Sequence, residues 1–293
     1  MFLILSFLIL PSSLAETALA ETVTDQLGRK VTIPQNPQRI ISLAPNITEI
    51  VFALDQGHLL KGVTTYSDFP AEALNVPRVG SYVNLDLEKI VATRPDLCIA
   101  IKDGNPLAVV RRLDALNIPL YAVNPTNLET VMNTVLEIGM LLNAQDKADE
   151  LVQDMHLRTH KLKALVSKAA HRPRVFFQIG TSPIVSVGTD TFIHELIELA
   201  GGTNIAAGHI PYPRFSREKI LTLSPEVIII TSMVHKSTYG KIRSDWERLP
   251  GMPAVQNKRI YFADADFFNR PTPRLVEGLE LLIKIIHPEL FEY

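Results

Sequence analysis

Three sets of side chains in this chain have spacings that could support chemistry. Asp264 and Asp266 stand two positions apart and could divide general-acid and general-base roles. His156 and His160 lie one helical turn apart, a spacing that can bring two imidazoles to one metal ion. His194-Glu195 opens like a zinc-protease helix, but the chain continues Leu196-Ile197-Glu198 and the second histidine is missing. Each set has a plainer explanation. No nucleophile or metal ligand stands beside the aspartates, His156 and His160 read as exposed positions on a long helix, and His194-Glu195 reads as a solvated helix face. The sequence also has no G-x-S-x-G elbow, no phosphate-binding glycine loop and no G-x-G-x-x-G.

A second set suits binding rather than catalysis. Tyr66 closes the strand-like run Gly62 to Tyr66, Tyr82 and Tyr212 each precede an expected helix, and Phe267-Phe268 lies between Asp266 and Arg270. Aromatic side chains on facing loops grip a large, flat, partly apolar molecule. Asp266 and Arg270 could then satisfy its amide or carboxylate groups. Two alternatives stay open: the rings could be core plugs, and Asp266 with Arg270 could be a local ion pair.

The elements that must hold these loops come in two copies. Tyr82, Glu88, Lys89, Ile90 and Pro95 recur as Tyr212, Glu218, Lys219, Ile220 and Pro225, each displaced by 130 positions, and Asp96 is matched by Glu226. Both copies run into an apolar strand, Leu97 to Ile101 and Val227 to Ile230. A unit built twice predicts two lobes with a ligand crevice between them. Strands alternating with helices along the chain predict α/β lobes whose sheets are mostly parallel. Thr22 to Ile33 should form a hairpin around Gly28, and Asn46 with Glu49 should cap the helix carrying Ile50, Val51, Phe52 and Leu54. Thr189 or Asp190 should cap the helix that ends at Gly201-Gly202, and a last helix should run from Thr272-Pro273 to Ile286. Asp146 to Ala170 holds neither Gly nor Pro, with Leu151, Met155, Leu162 and Val166 near helical spacing. Such a helix would run ~35–40 Å and link the lobes stiffly. The expected division is 21–142, a linking helix at 143–171, and 172–293.

With 46 % apolar residues and a formal net charge of −2, the 293-residue chain can build ample core and carries no basic stripe for nucleic acid. Residues 2 to 14 are almost wholly apolar and small residues follow, the pattern of a secretory signal. Cleavage is expected after Ala20, with Ala15 the alternative, although Lys and Arg are absent from its start. The single cysteine, Cys98, lies in an apolar strand, so it reads as a small buried hydrophobe and gives neither a disulfide nor a lipid anchor. Export to the periplasm as a free monomer is the expectation.

Several segments resemble the cobalamin-binding periplasmic proteins of ABC importers. They are Arg39-Ile-Ile-Ser-Leu-Ala-Pro, Thr65-Tyr-Ser-Asp-Phe-Pro, Leu87-Glu-Lys-Ile, Arg94-Pro-Asp-Leu and Ser216-Arg-Glu-Lys-Ile, and the likeness covers roughly residues 37 to 290. The resemblance implies two pseudo-symmetric, doubly wound α/β lobes joined by one long helix. It further implies a corrinoid lined by Tyr66, Tyr82, Tyr212 and Phe267, with Asp266 and Arg270 at its periphery. Glu88 and Glu218 match the lobe-tip carboxylates that meet arginines of the permease dimer. Ile101 stands where the family can place an aromatic, which removes stacking area from the first lobe. On this basis the chain is a carrier and not an enzyme, with a corrinoid as cargo and no cofactor of its own. Two alternatives are a haem or ferric-siderophore carrier of the same class, with Tyr82 as the haem ligand, and a secreted metal-dependent hydrolase built on Asp264 and Asp266.

Overall fold

The computed structural model describes residues 20–208, 210–231 and 238–291, so the signal and its cleavage lie almost wholly outside the described residues. Each lobe is built on a parallel sheet of the same topology. In the first lobe the strands stand in the order Leu60–Gly62, Ile40–Ser42, Leu97–Ile101, Leu120–Val123. In the second, Thr203–Asn204, Arg174–Thr181, Val227–Thr231 and Ile260–Ala263 repeat that order. The second sheet is extended by antiparallel Ile184–Ser186 and Arg214–Phe215. Ala20–Thr24 pairs with Lys30–Pro34 as the expected hairpin, and Gly28 takes φ +77° in its turn.

The central strands are apolar on both faces because helices cover both. Ile40 and Ile99 point into the core shared with the linking helix, while Ile41, Cys98 and Ala100 point into an outer cluster under Leu107–Ala115. Phe177 and Ile229 against Phe176 and Ile228 repeat the alternation in the second lobe.

The linking helix is Gln145–Val166. Its buried stripe is Ala148, Val152, Met155 and Thr159. Of the expected positions only Met155 belongs to that stripe, and Leu151, Leu162 and Val166 are partly buried beside it. Sequence spacing alone does not fix the phase of a narrow stripe when Ala and Thr can complete it. The helix packs between Leu128–Leu141 and the C-terminal helix Leu275–Ile286. Gly139 permits the first contact, since a Cβ there would lie 2.5 Å from that of Ala148.

Several local expectations shift. The helix at residue 45 starts on Pro45 behind Ala44, which has no side-chain acceptor to cap it, and Glu49 is turned into a buried ion cluster instead. Thr191, not Thr189 or Asp190, caps the helix Phe192–Leu199; Thr189 instead accepts the Gly208 N–H at 2.7 Å. The strand expected at Gly62 to Tyr66 lies at Leu60–Gly62, and Thr64 and Ser67 then close a turn through their hydroxyls at 2.9 Å. Tyr66 therefore lies on the loop beyond the strand.

The duplicated passage has the same frame in both lobes. Asp86 accepts the Lys89 N–H and caps Leu87–Ala92, and Ser216 accepts the Lys219 N–H and caps Arg217–Leu223. Asp96 accepts the Arg39 backbone N–H, while the Arg39 guanidinium donates to the carbonyl of Arg94 at φ +49°. Glu226 accepts the Arg174 N–H, and Arg174 donates to the carbonyl of Ser224 at φ +51°. Burial pulls the Glu226 carboxyl upward, but the Arg174 N–H and His171 outweigh it and hold the group below the usual carboxylate range.

Candidate functional site

In both sheets strand order reverses between the first and third strands, and ligands of such sheets bind outside the carboxyl ends at that point. In the first lobe one buried side chain builds this edge. Asn105 Oδ1 accepts the Ile101 N–H at 2.8 Å, and its Nδ2 donates to the carbonyls of Leu43 and Tyr82, each at 2.8 Å. It thereby ties two strand ends to the hairpin Gly80–Ser81 and Asn84–Leu85, whose turn carries Tyr82. Gly104, at φ +141°, lies against the Tyr82 ring so closely that a Cβ would fall 2.6 Å from it. The Thr65 N–H donates to the Gly80 carbonyl, which sets the Tyr66 loop beside the same hairpin.

Tyr212 comes from the other lobe. The Gly188 N–H donates to Pro211 and the Ser186 N–H to Pro213, fixing the intervening residue against the strand Ile184–Ser186. Burial pushes the Tyr212 phenol up, and Asp103 and Tyr82 push it further, so it stays neutral at neutral pH. Asp103 and Tyr82 belong to the first lobe, so the two electrostatic influences on Tyr212 come from across the lobes. Tyr66 and Tyr212 are 57 % and 56 % exposed, which leaves their rings available to a ligand.

A charged cluster spans the crevice elsewhere. Arg270 pairs with Glu49 and Asp68 of the first lobe, each at 2.8 Å, with Asp266 at 3.5 Å, and donates to the Tyr66 carbonyl at 3.2 Å. Arg274 pairs with Glu49 at 3.4 Å, and its guanidinium lies 4.0 Å over Phe69 and 4.8 Å over Phe267. Burial pushes the Glu49 carboxyl up, against the opposing pull of the two arginines. Arg270 thus pairs locally with Asp266 and also bridges the lobes through Glu49 and Asp68. Phe267 lines this cluster, whereas Phe268 is fully buried, edge-on to Phe177 at 5.5 Å.

Glu88 and Glu218 are exposed in the first turns of their helices. The Glu218 carboxyl is held low by its own backbone N–H and by Ser216. The structure gathers Tyr66, Asp266, Arg270 and Phe267 around the bridge, while Tyr82 and Tyr212 head their repeat helices in opposite lobes. Sequence reasoning missed Asn105, Gly104, Asp68 and the role of Glu49. The Asp103-Gly104-Asn105 run after a buried strand was the available turn signal.

The catalytic candidates do not assemble. Asp264 accepts the Asp266 N–H at 3.0 Å and caps its own short turn. His156 and His160 are exposed on the linking helix, and no group of three metal-ligating side chains occurs among the described residues. His194 and Glu195 are not a solvated face. His194 Nδ1 lies 3.1 Å from Asn204 Nδ2, and Glu195 accepts the Leu128 N–H at 2.6 Å. Among the described residues no helix is long and apolar enough to cross a membrane.

Known proteins match the chain along most of its length. The family model described as periplasmic binding protein matches residues 40–267. An uncharacterized ABC transporter substrate-binding lipoprotein, YvrC of Bacillus subtilis, is 32 % identical over 277 residues, covering 92 % of this chain and 87 % of that one. A vitamin B12-binding protein of Vibrio cholerae is 32 % identical over 249 residues, covering 84 % and 88 %. The solved periplasmic vitamin B12 binding protein BtuF of that species superposes with TM-score 0.77 at 29 % identity, covering 89 % of this chain and all of the other. The periplasmic heme-binding protein RhuT from Roseiflexus sp. RS-1 reaches the same TM-score at 24 % identity, covering 86 % and 99 %, and shows the fold alone.

Proposed function

The chain belongs to the periplasmic binding protein family, and we propose that it captures cobalamin or a related corrinoid between its lobes and delivers it to an ABC importer. The family is one of substrate carriers that act outside the cytoplasm, so chemistry on the ligand is not its task. The observation that supports the corrinoid reading is the pair of repeat tyrosines, Tyr82 on the hairpin turn of the first lobe and the half-exposed Tyr212 in the second, with Tyr82 acting electrostatically on Tyr212. Two aromatic faces and an acidic, amide-accepting edge suit a broad, partly apolar macrocycle. The relatives that bind vitamin B12 support the same ligand. The corrinoid is cargo, and no resident cofactor is needed.

Delivery is assigned to the lobe tips. Glu88 and Glu218 occupy equivalent exposed positions, and a pair of carboxylates so arranged suits the arginines of a permease dimer with its own twofold axis. The protein acts as a monomer in this scheme.

Titration of the mature protein with cyanocobalamin, haemin and a ferric siderophore, followed by heat and visible spectra, tests the ligand. Corrinoid binding at micromolar concentration or tighter is expected, and Tyr212→Ala should weaken it by ~1–3 kcal/mol. Haemin binding without corrinoid binding would replace this reading with the haem carrier.

A further inference from the structure

A single apolar side chain on a protein surface needs no explanation, but a duplicated one does. Val91 and Leu221 are 37 % and 40 % exposed. They are displaced by the same 130 positions as the duplicated passage and occupy equivalent places on the helices Leu87–Ala92 and Arg217–Leu223. Each lies three residues after an exposed glutamate, Glu88 or Glu218, and residues so spaced are neighbours on one helix surface. Ile90 and Ile220, the residues just before them, are fully buried and fix which side of each helix faces outward. Nearby cations are held by other acids: the Lys89 ammonium pairs with Asp86 at 3.0 Å and the Arg217 guanidinium with Asp245 at 3.1 Å. Each lobe tip thus carries one acid and one aliphatic group side by side.

We propose that Val91 and Leu221 are apolar anchors of the docking surface, each entering an aliphatic socket of the permease beside the arginine that its glutamate meets. The inference rests on the lobe-tip docking proposed above and extends it from charge to packing. Exposed ion pairs give register and encounter rate but little affinity, because water and salt screen them. Removal of aliphatic surface from water escapes that screening and supplies affinity. One charged contact per lobe also lets each helix pivot about its carboxylate, and a second contact three residues on removes that freedom. The duplication points to the occupant: a twofold permease dimer offers a matching pair of sockets to two equivalent tips. A second copy of this chain would bring its own glutamates against these, which like charge disfavours, whereas a cationic face is complementary.

Binding of the mature carrier to its cognate importer in lipid nanodiscs, at about 0.1 M and about 0.5 M NaCl, tests the anchors because the two conditions differ in charge screening. Four carriers are compared with wild type as reference: Val91→Ser with Leu221→Ser, Glu88→Ala with Glu218→Ala, Leu157→Ser, and wild type itself. Leu157 is the control, a leucine of the linking helix that is 53 % exposed. The apolar double variant should bind roughly tenfold more weakly at both salt concentrations, the order expected from leaving the exposed part of two aliphatic side chains in water. The glutamate variant should lose most of its deficit at the higher salt, and Leu157→Ser should bind like wild type. All the replaced side chains are exposed, so urea midpoints should match wild type. Wild-type affinity of the apolar variant, with the glutamate variant weakened, overturns the inference and leaves the docking assignment standing. So does a deficit that vanishes at high salt or that Leu157→Ser reproduces. A dimer of the carrier alone in analytical ultracentrifugation, lost in the apolar variant, would hand this surface to a second copy and overturn the inference as well. A glutamate variant that binds like wild type removes the docking assignment and the inference with it.

Discussion

Gly104→Ala should displace Tyr82 while leaving every ligand-facing side chain chemically intact. The added Cβ would lie 2.6 and 2.7 Å from two carbons of the Tyr82 ring. Carbon atoms sit comfortably ~3.5–4.0 Å apart, so the ring must retreat by about 1 Å. It cannot drag its backbone along freely, because Asn105 holds the Tyr82 carbonyl at 2.8 Å. The alanine must also adopt φ +141°, a conformation that costs a residue with a Cβ about 1–3 kcal/mol. Urea unfolding should therefore register a loss of about 1–3 kcal/mol. Corrinoid affinity should fall by about 0.5–1.5 kcal/mol, the worth of one stacking geometry beyond its area. Calorimetric titration of Gly104→Ala, Tyr82→Ala and the double variant separates the effects. Once Gly104→Ala has moved the ring, Tyr82→Ala should cost less than it does in wild type. Strict additivity, or wild-type affinity in Gly104→Ala, would refute the claim that Gly104 seats this ring for the ligand.

Three further outcomes are expected. Glu88→Ala with Glu218→Ala should leave corrinoid affinity unchanged and abolish stimulation of the cognate transporter's ATPase in proteoliposomes; surviving stimulation would reject the docking assignment. Arg270→Ala leaves Glu49 buried with Arg274 alone, so urea unfolding should show a loss of about 3–5 kcal/mol; a loss below about 1 kcal/mol would mean that the bridge adds nothing between the lobes. Glu226 has a carboxyl held below its usual value of 4.5, so its contribution is complete above that pH and disappears as pH falls through the lower folded value. Glu226→Gln should accordingly flatten the acid limb of stability below about pH 4.5, and an unchanged limb would count against the lock on Arg174.

The lobes, their parallel sheets and the long helix were legible because each follows from a strong regular signal. Leu97 to Ile101 and Val227 to Ile230 are apolar runs buried on both faces, and the 130-residue displacement announces the duplication. The loop tyrosines were legible because the copied unit marks their equivalence. What escaped depends on partners distant in sequence. Glu49 is 221 positions from Arg270, and nothing local distinguishes a buried cluster acid from a capping residue. Asn105 likewise reads as loop polarity until Leu43, Tyr82 and Ile101 converge on its amide. The strand before Tyr66 was displaced because Thr64 is β-prone, yet its hydroxyl serves a turn with Ser67.

The symmetry of the two copies is unevenly kept, and the unevenness has a physical sense. On the outer side the copies share four features: a capping oxygen at 86 and 216, a buried isoleucine at 90 and 220, a left-handed residue at 94 and 224, and a carboxylate at 96 and 226 that accepts the N–H of Arg39 or Arg174. These constraints fix each exposed glutamate against its own sheet, so Glu88 and Glu218 are presented with matched geometry. On the inner side the copies diverge. Asn105 anchors only Tyr82, proline carbonyls fix Tyr212, and the bridge of Arg270 and Arg274 to Glu49 runs one way, from the second lobe to the first. A partner with twofold symmetry requires equivalent outer surfaces, while a ligand without symmetry requires inner surfaces that differ. Drift in the inner contacts with retention of the outer ones is what a duplicated carrier needs if its cargo is asymmetric and its docking partner is not.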